Sequence, residues 1–292
     1  MCYNNNIPNT VKIQGDVFMQ KYTVENHEES WLPEGKNFKL VWSDEFDGTE
    51  LDASKWDYRM SMMGKYHESW TDKGVHLDGN GNCVFTLMAA EDDGRPVCSQ
   101  LQTGYNFMDE PVQKTTFETA YLQWPIGKLK ENKFTHTYGY YECRCRMQLK
   151  PGWWSAFWIQ SPTIGASLDP AETGVEIDVM ESFHPGKIVH HNVFTGGYGL
   201  DMKHISAGDG LTLDENEYHR FGVLWDENGY TFYVDGKEDG HIDGFVSKRP
   251  EFILISTEAN GYRDEDHLPT EEAKAAIGDT FLVDYVRVFD VI

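Results

Sequence analysis

Gly174-Val-Glu-Ile-Asp-Val-Met-Glu-Ser-Phe183 sets three acids, Glu176, Asp178 and Glu181, in an otherwise apolar run of strand-forming residues. A strand turns successive side chains to opposite faces, so Glu176 and Asp178 point one way while Ile177 and Val179 point the other. Unbroken alternation would put Met180 next on the acidic face and send Glu181 across to the apolar one. A β-bulge with Val179 or Met180 as its extra residue shifts the phase by one and returns Glu181 to the acidic face.

Three carboxylates on one face repel, so at least one pKa rises and a proton is shared among them. A retaining glycosidase uses that state: an ionised carboxylate and a protonated one, about 5–5.5 Å apart. Glu176 and Glu181 are the pair the spacing offers, with Asp178 between them to hydrogen-bond and orient the nucleophile. The competing reading is an exposed edge strand whose acids face solvent.

The acidic stretch Glu176-Ile-Asp-Val-Met-Glu181 resembles the bulged E-x-D-x-x-E signature of glycoside hydrolase family 16. Leu40-Val-Trp-Ser-Asp-Glu-Phe-Asp-Gly48 resembles that family's opening strand, Ser155-Ala-Phe-Trp-Ile159 the strand before the catalytic one, and Phe281-Leu-Val-Asp-Tyr-Val-Arg-Val-Phe289 its closing strand. The resemblance implies an all-β fold, an antiparallel β-jelly-roll sandwich of the concanavalin A-like kind. It implies retaining endo-hydrolysis of a β-linked polysaccharide, with Glu176 as nucleophile, Glu181 as acid/base and Asp178 as helper, and no required cofactor. It also implies a possible structural calcium, with Glu45 and Asp284 at the matching positions; calcium takes six to eight oxygens.

A chain of 292 residues with 14% aromatics can bury a sizeable core. One domain over residues 37–292 is expected, with residues 1–36 an N-terminal arm or extra strand, including a strand around Val17–Val24. Forty-eight acids against 25 bases, a net charge of −23, argue against nucleic acid or an anionic membrane as partner. The expected partner is a polysaccharide, bound by a monomer. Cys2, Cys83, Cys98, Cys143 and Cys145 lack a C-x-x-C spacing and read as buried free thiols. No basic segment followed by an apolar stretch stands near the first residue, so the chain reads as intracellular if complete and secreted if its start has been processed. No apolar run approaches 18 residues.

Short strands separated by Gly, Asn and Asp turns, as at Asp78-Gly-Asn-Gly81, Asn228-Gly229 and Asp235-Gly236, match a sandwich. One helix is expected, from Glu271 to Ile277. Tyr140–Leu149 alternates, with Glu142, Arg144, Arg146 and Gln148 on a face that reads as wet; if that face lines the cleft, Arg144 or Arg146 reaches sugar hydroxyls or sulfate.

Aromatic rings stack on the apolar faces of sugars. Trp158, on the strand expected beside the catalytic one, is placed on the cleft floor near the reacting sugar, with Trp153 or Trp154 further out. Of His190 and His191, which face opposite ways, His191 is favoured as the one reaching Glu181 or the sugar. The segment 196–210, with Tyr198, is expected to wall one end of the cleft, and Glu258 to lie at its edge. Within the family resembled, β-1,3- or mixed-linkage glucan is the first expectation for substrate, and galactans such as agar, porphyran or carrageenan the second. Residues 160–173 depart from the short glycine-containing approach of the glucanases. A transglycosylase would share every catalytic residue, and a lectin on the same sandwich would explain the aromatics without needing the three acids.

Overall fold

The computed structural model describes residues 20–109, 128–264 and 266–292. Two antiparallel sheets stack face to face. The first has seven strands in the order Lys203–Ala207, His191–Thr195, Glu176–Ser182, Trp153–Gln160, Phe252–Ala259, Gln100–Gln102 and Asp57–Tyr58. The second runs Lys237–Ile242, Gly229–Val234, His219–Asp226, Gly139–Arg146, Thr280–Val291, Cys83–Thr86 and Val75–Leu77, and Phe38–Asp44 also pairs with Thr280–Val291.

Alternation builds the core between them. Ile177, Val179 and Val193 from the first sheet meet Tyr141, Cys143, Phe221, Val223 and Trp225 from the second in one apolar cluster. Cys83, Cys98, Cys143 and Cys145 are buried free thiols. The turns follow their chemistry: Asp235 and Gly236 both take positive φ, 48° and 69°, as a tight hairpin with right-twisted strands requires. The expected helix spans Glu271–Ala276, capped by Thr270 Oγ1, which accepts from Ala273 N at 3.1 Å. A second short helix, Pro170–Thr173, was not anticipated; it opens on Asp169, whose carboxylate accepts from Ala171 N at 2.9 Å.

The alternation expected in Gly139–Arg146 holds, but its polar face is neither wet nor a cleft. A hairpin of Gln20–Tyr22 and Ser30–Leu32 lies on the outer side of the second sheet. Trp31 N donates to Glu142 Oε1 (2.9 Å), Tyr285 Oη to Glu142 Oε2 (2.8 Å) and Arg287 Nη1 to the Glu28 carbonyl (2.8 Å). Glu142 is thereby fully buried. Of the expected Val17–Val24 strand, residues 17–19 lie outside the described residues and Gln20–Tyr22 is strand. Among the described residues no helix is long and apolar enough to cross a membrane.

Candidate active site

The pairing between Trp153–Gln160 and Glu176–Ser182 shows how the acids come to share a face. Gln160 lies opposite Glu176, Trp158 opposite Asp178, Phe157 opposite Met180 and Ala156 opposite Glu181. The register shifts between Phe157 and Trp158, leaving Val179 as the extra residue of a bulge. Val179 and Met180 are consecutive yet both are buried in the core. The phase has slipped by one, and Glu176, Asp178 and Glu181 all project from the outer face of the first sheet.

That face withdraws the acids from water and crowds them, and each pKa responds. Glu181 is pushed up to about 7, by burial first and then by the charge of Glu176. Asp178 is raised well above the carboxylate range by burial, then by Glu181 and Glu176. Burial raises Glu176 too, but a hydrogen bond from the Tyr198 hydroxyl, the charge of Arg59 and a bond from Gln160 oppose it. Gln160 Nε2 donates to Glu176 Oε2 at 3.0 Å, and the Tyr198 hydroxyl donates to the same oxygen. The donors therefore favour an ionised Glu176, whose charge adds to burial in holding the Glu181 proton up to about pH 7.

The other expected contacts divide. Trp154 and Trp158 share the acidic face, whereas Trp153 points into the core, fully buried, its Nε1 donating to Asp279 Oδ2 at 3.0 Å. Successive strand residues cannot both face the cleft, so Trp153 is corrected to a core residue. Trp158 donates from Nε1 to Ser256 Oγ (2.9 Å) and carries the Arg59 guanidinium 5.2 Å from its ring centroid. Arg59 also lies over Trp70 at 5.3 Å and is held by Asp109 at 2.7 Å. Trp154 packs on Phe183 at 5.1 Å and lies under Arg263, also at 5.1 Å. Glu258, opposite Trp154, is nearly fully buried and grips Arg263 through two bonds of 2.7 and 2.6 Å.

His191 is likewise on the core side. Its Nδ1–H donates to the Val179 carbonyl at 2.8 Å, its Nε2 meets Asp239 Oδ2 at 3.1 Å, and its ring stacks on Phe232 at 4.4 Å. The cleft position belongs to Asn192, opposite Asp178, whose side chain bonds to Asp178 and Glu181 while Ser206 Oγ donates to its Oδ1 at 2.6 Å. The loop beyond is shorter than expected, because Lys203–Ala207 pairs with His191–Thr195; only residues 196–202 rise as a wall.

Arg144 lies in the second sheet, bound to Asp284 at 2.6 Å, and so is not a cleft residue. The same contact bears on calcium. Asp284 is matched by Arg144, and both oxygens of Glu45 accept from the fully buried Arg287 at 2.7–3.2 Å. Guanidinium groups supply the positive charge at both carboxylates, so this pair does not fit a calcium site. No cluster of three or more His, Cys, Asp or Glu side chains fit to hold a metal stands among the described residues.

Arg59, Arg263, Asn192 and Gln160 were missed from the sequence. Gln160, two residues beyond Trp158, and Asn192, opposite Asp178, were accessible to alternation and register. The two arginines stand outside the long strands and carry no periodic signal.

The Glycosyl hydrolases family 16 model matches residues 97–242, half of the chain. This chain belongs to glycosyl hydrolase family 16. Within the family it is 27% identical to the glucan endo-1,3-beta-glucosidase A1 of Niallia circulans over 86% of this chain, but spans only 37% of that protein. It is 28% identical to the beta-glucanase of Rhodothermus marinus, over 87% of this chain and 85% of that one. The solved laminarinase catalytic domain from Thermotoga maritima MSB8 superposes with a TM-score of 0.62 at 20% identity, over 88% of this chain and 100% of that domain, which establishes the shared jelly-roll fold.

Proposed function

We propose that the chain is a retaining endo-β-glycanase that cleaves internal linkages of a β-1,3- or β-1,3/1,4-glucan. The observation that carries this reading is the bulge at Val179, which gathers three carboxylates on one face and leaves them differently dressed. Glu176, with two donors on Oε2, is the nucleophile; Glu181, held protonated to about pH 7, is the acid. Glu181 gives its proton to the leaving oxygen as Glu176 forms a bond to the anomeric carbon, and the aglycone departs. The ester that results is uncharged. With the Glu176 charge gone, the second largest cause of the raised Glu181 pKa is removed. Glu181 then ionises more readily and takes a proton from the water that releases the sugar with its configuration retained. Asn192, bonded to both Asp178 and Glu181, keeps the middle and outer acids aligned through both steps. The chemistry rests on carboxylates and calls for no cofactor.

The sugar is proposed from the two relatives above, whose names specify glucans; other relatives are a kappa-carrageenase and a beta-agarase, and a panel tests the choice. Reducing-end release should appear on laminarin or mixed-linkage glucan, and be lost in Glu176→Gln with folding intact. Turnover of agarose, porphyran or κ-carrageenan instead would replace the substrate while keeping the mechanism. A first-formed product of inverted configuration, or full activity in the variant, would overturn the mechanism itself.

A further inference from the structure

Glu176 is overhung by a wall made of two loops. Ile164 and Ala166 from one and Phe107 and Met108 from another segment form a small apolar cluster against which Tyr198 packs. The loops meet backbone to backbone: Gly165 and Gly197 have φ of 80° and 79°, and a Cβ built on Gly165 would stand 2.8 Å from Gly197 Cα. Any larger residue would separate them, so this contact decides how far Tyr198 reaches over the sheet. Its hydroxyl ends on Glu176 Oε2, the same oxygen that Gln160 holds. Among the described residues no hydrogen bond falls on Oε1.

We propose that Tyr198 is the positioning residue of the nucleophile: with Gln160 it fixes Glu176 Oε2 and leaves Oε1 as the oxygen that attacks the anomeric carbon. This rests on the reading of Glu176 as nucleophile, and deepens it. The donated bond is strongest while Glu176 is an anion, weakens when Oε1 is esterified, and is regained when the ester is cleaved. Tyr198 therefore favours departure of the carboxylate in the second half of the reaction. Several charges face the same carboxyl. Asp178 and Glu181 on its own strand, and Glu251, are each raised by the Glu176 charge, while Arg59 and Arg263 from neighbouring segments favour its ionised form. Asp109, ion-paired to Arg59, also bears on Tyr198. Removing one hydroxyl leaves all of these in place and ends only its bond to Glu176 and the bond that Gln160 Nε2 donates to it, so the change reads this shared contact.

The test is a ¹³C-carboxyl NMR titration of Glu176, assigned by the signal lost in Glu176→Gln, in wild type and Tyr198→Phe. The expected result is a midpoint about one pH unit higher in the variant, a tenfold gain in proton affinity. The acid limb of kcat/KM on laminarin should move equally. Replacing the Tyr198 phenol by the more acidic 3-fluorotyrosine, which preserves the packing, should move the midpoint the other way. A midpoint unmoved by both changes would overturn the proposal, because a purely structural tyrosine would alter stability without altering the titration of Glu176. Azide rescue of Glu176→Gly, giving a product of inverted configuration, checks the nucleophile separately. Failure of rescue would strike the catalytic reading and leave the titration to judge the contact.

Discussion

Replacing Glu181 by Gln should stabilise the folded chain at alkaline pH while removing the proposed proton donor from the site. Burial and the Glu176 charge push Glu181 up to about 7 when folded, against an ordinary glutamate value of 4.5. A carboxyl whose folded pKa is raised binds its proton more tightly in the native state, so its stabilising contribution is complete below the unfolded value. That contribution is lost as pH rises toward 7. At about 1.4 kcal/mol per tenfold, ionising Glu181 in both states costs the native chain about 3 kcal/mol above pH 7. Glutamine keeps the shape and cannot ionise, so Glu181→Gln should match wild type near pH 4 and exceed it by up to about that amount at pH 8.5. Urea unfolding at the two pH values, with equal m-values, is the assay. An advantage at pH 8.5 no larger than that at pH 4 would refute the argument, because neither the burial nor the Glu176 charge would then oppose ionisation of Glu181.

The two adjacent tryptophans should part company. Trp153→Ala should cost about 3–5 kcal/mol in urea unfolding, through the core cavity it opens, whereas Trp154→Ala should cost far less and instead raise KM on the polymer. On the outer face of the second sheet, Arg287→Met should cost about 3–5 kcal/mol by stranding Glu45 beside the arm it helps to anchor. Calcium added to the wild type should leave its thermal midpoint unchanged, and a calcium-dependent rise would mean that Glu45 and Asp284 exchange their arginines for the ion.

Much of the fold was legible because it rests on local rules. Period-two patterning separated core from outer residues in Gly139–Arg146 and Glu176–Ser182, and Asn-Gly and Asp-Gly pairs marked the hairpins. The bulge was legible for a different reason: three acids in an apolar strand make sense on one face only if the phase slips. What alternation cannot supply is which sheet a polar face belongs to, or what covers it. Arg144 was misplaced for that reason, since the face it shares with Glu142 is closed by a hairpin more than a hundred residues away in sequence. Of Trp153 and Trp154 only one can share the face of Trp158, and the even spacing from Trp154 to Trp158 selects Trp154. His191 turned on counting across a turn, where an error of one residue exchanges core for cleft.

The correction at His191 connects the two sides of the strand. A bulge that turns Glu181 outward must place Val179 and Met180 together in the core, and it leaves the bulge's backbone to find partners outside the regular ladder. The core burial of those two side chains is worth about 1.5–3 kcal/mol each, comparable with the cost of an ionised Glu181 on the opposite face. The His191 Nδ1–H, braced by Asp239 and by Phe232, satisfies the Val179 carbonyl. A carbonyl left buried without a donor there would cost about 1–3 kcal/mol, enough to favour the regular register that turns Glu181 away from Glu176. The acids thus stay together through contacts on the far side of the strand, where no substrate reaches.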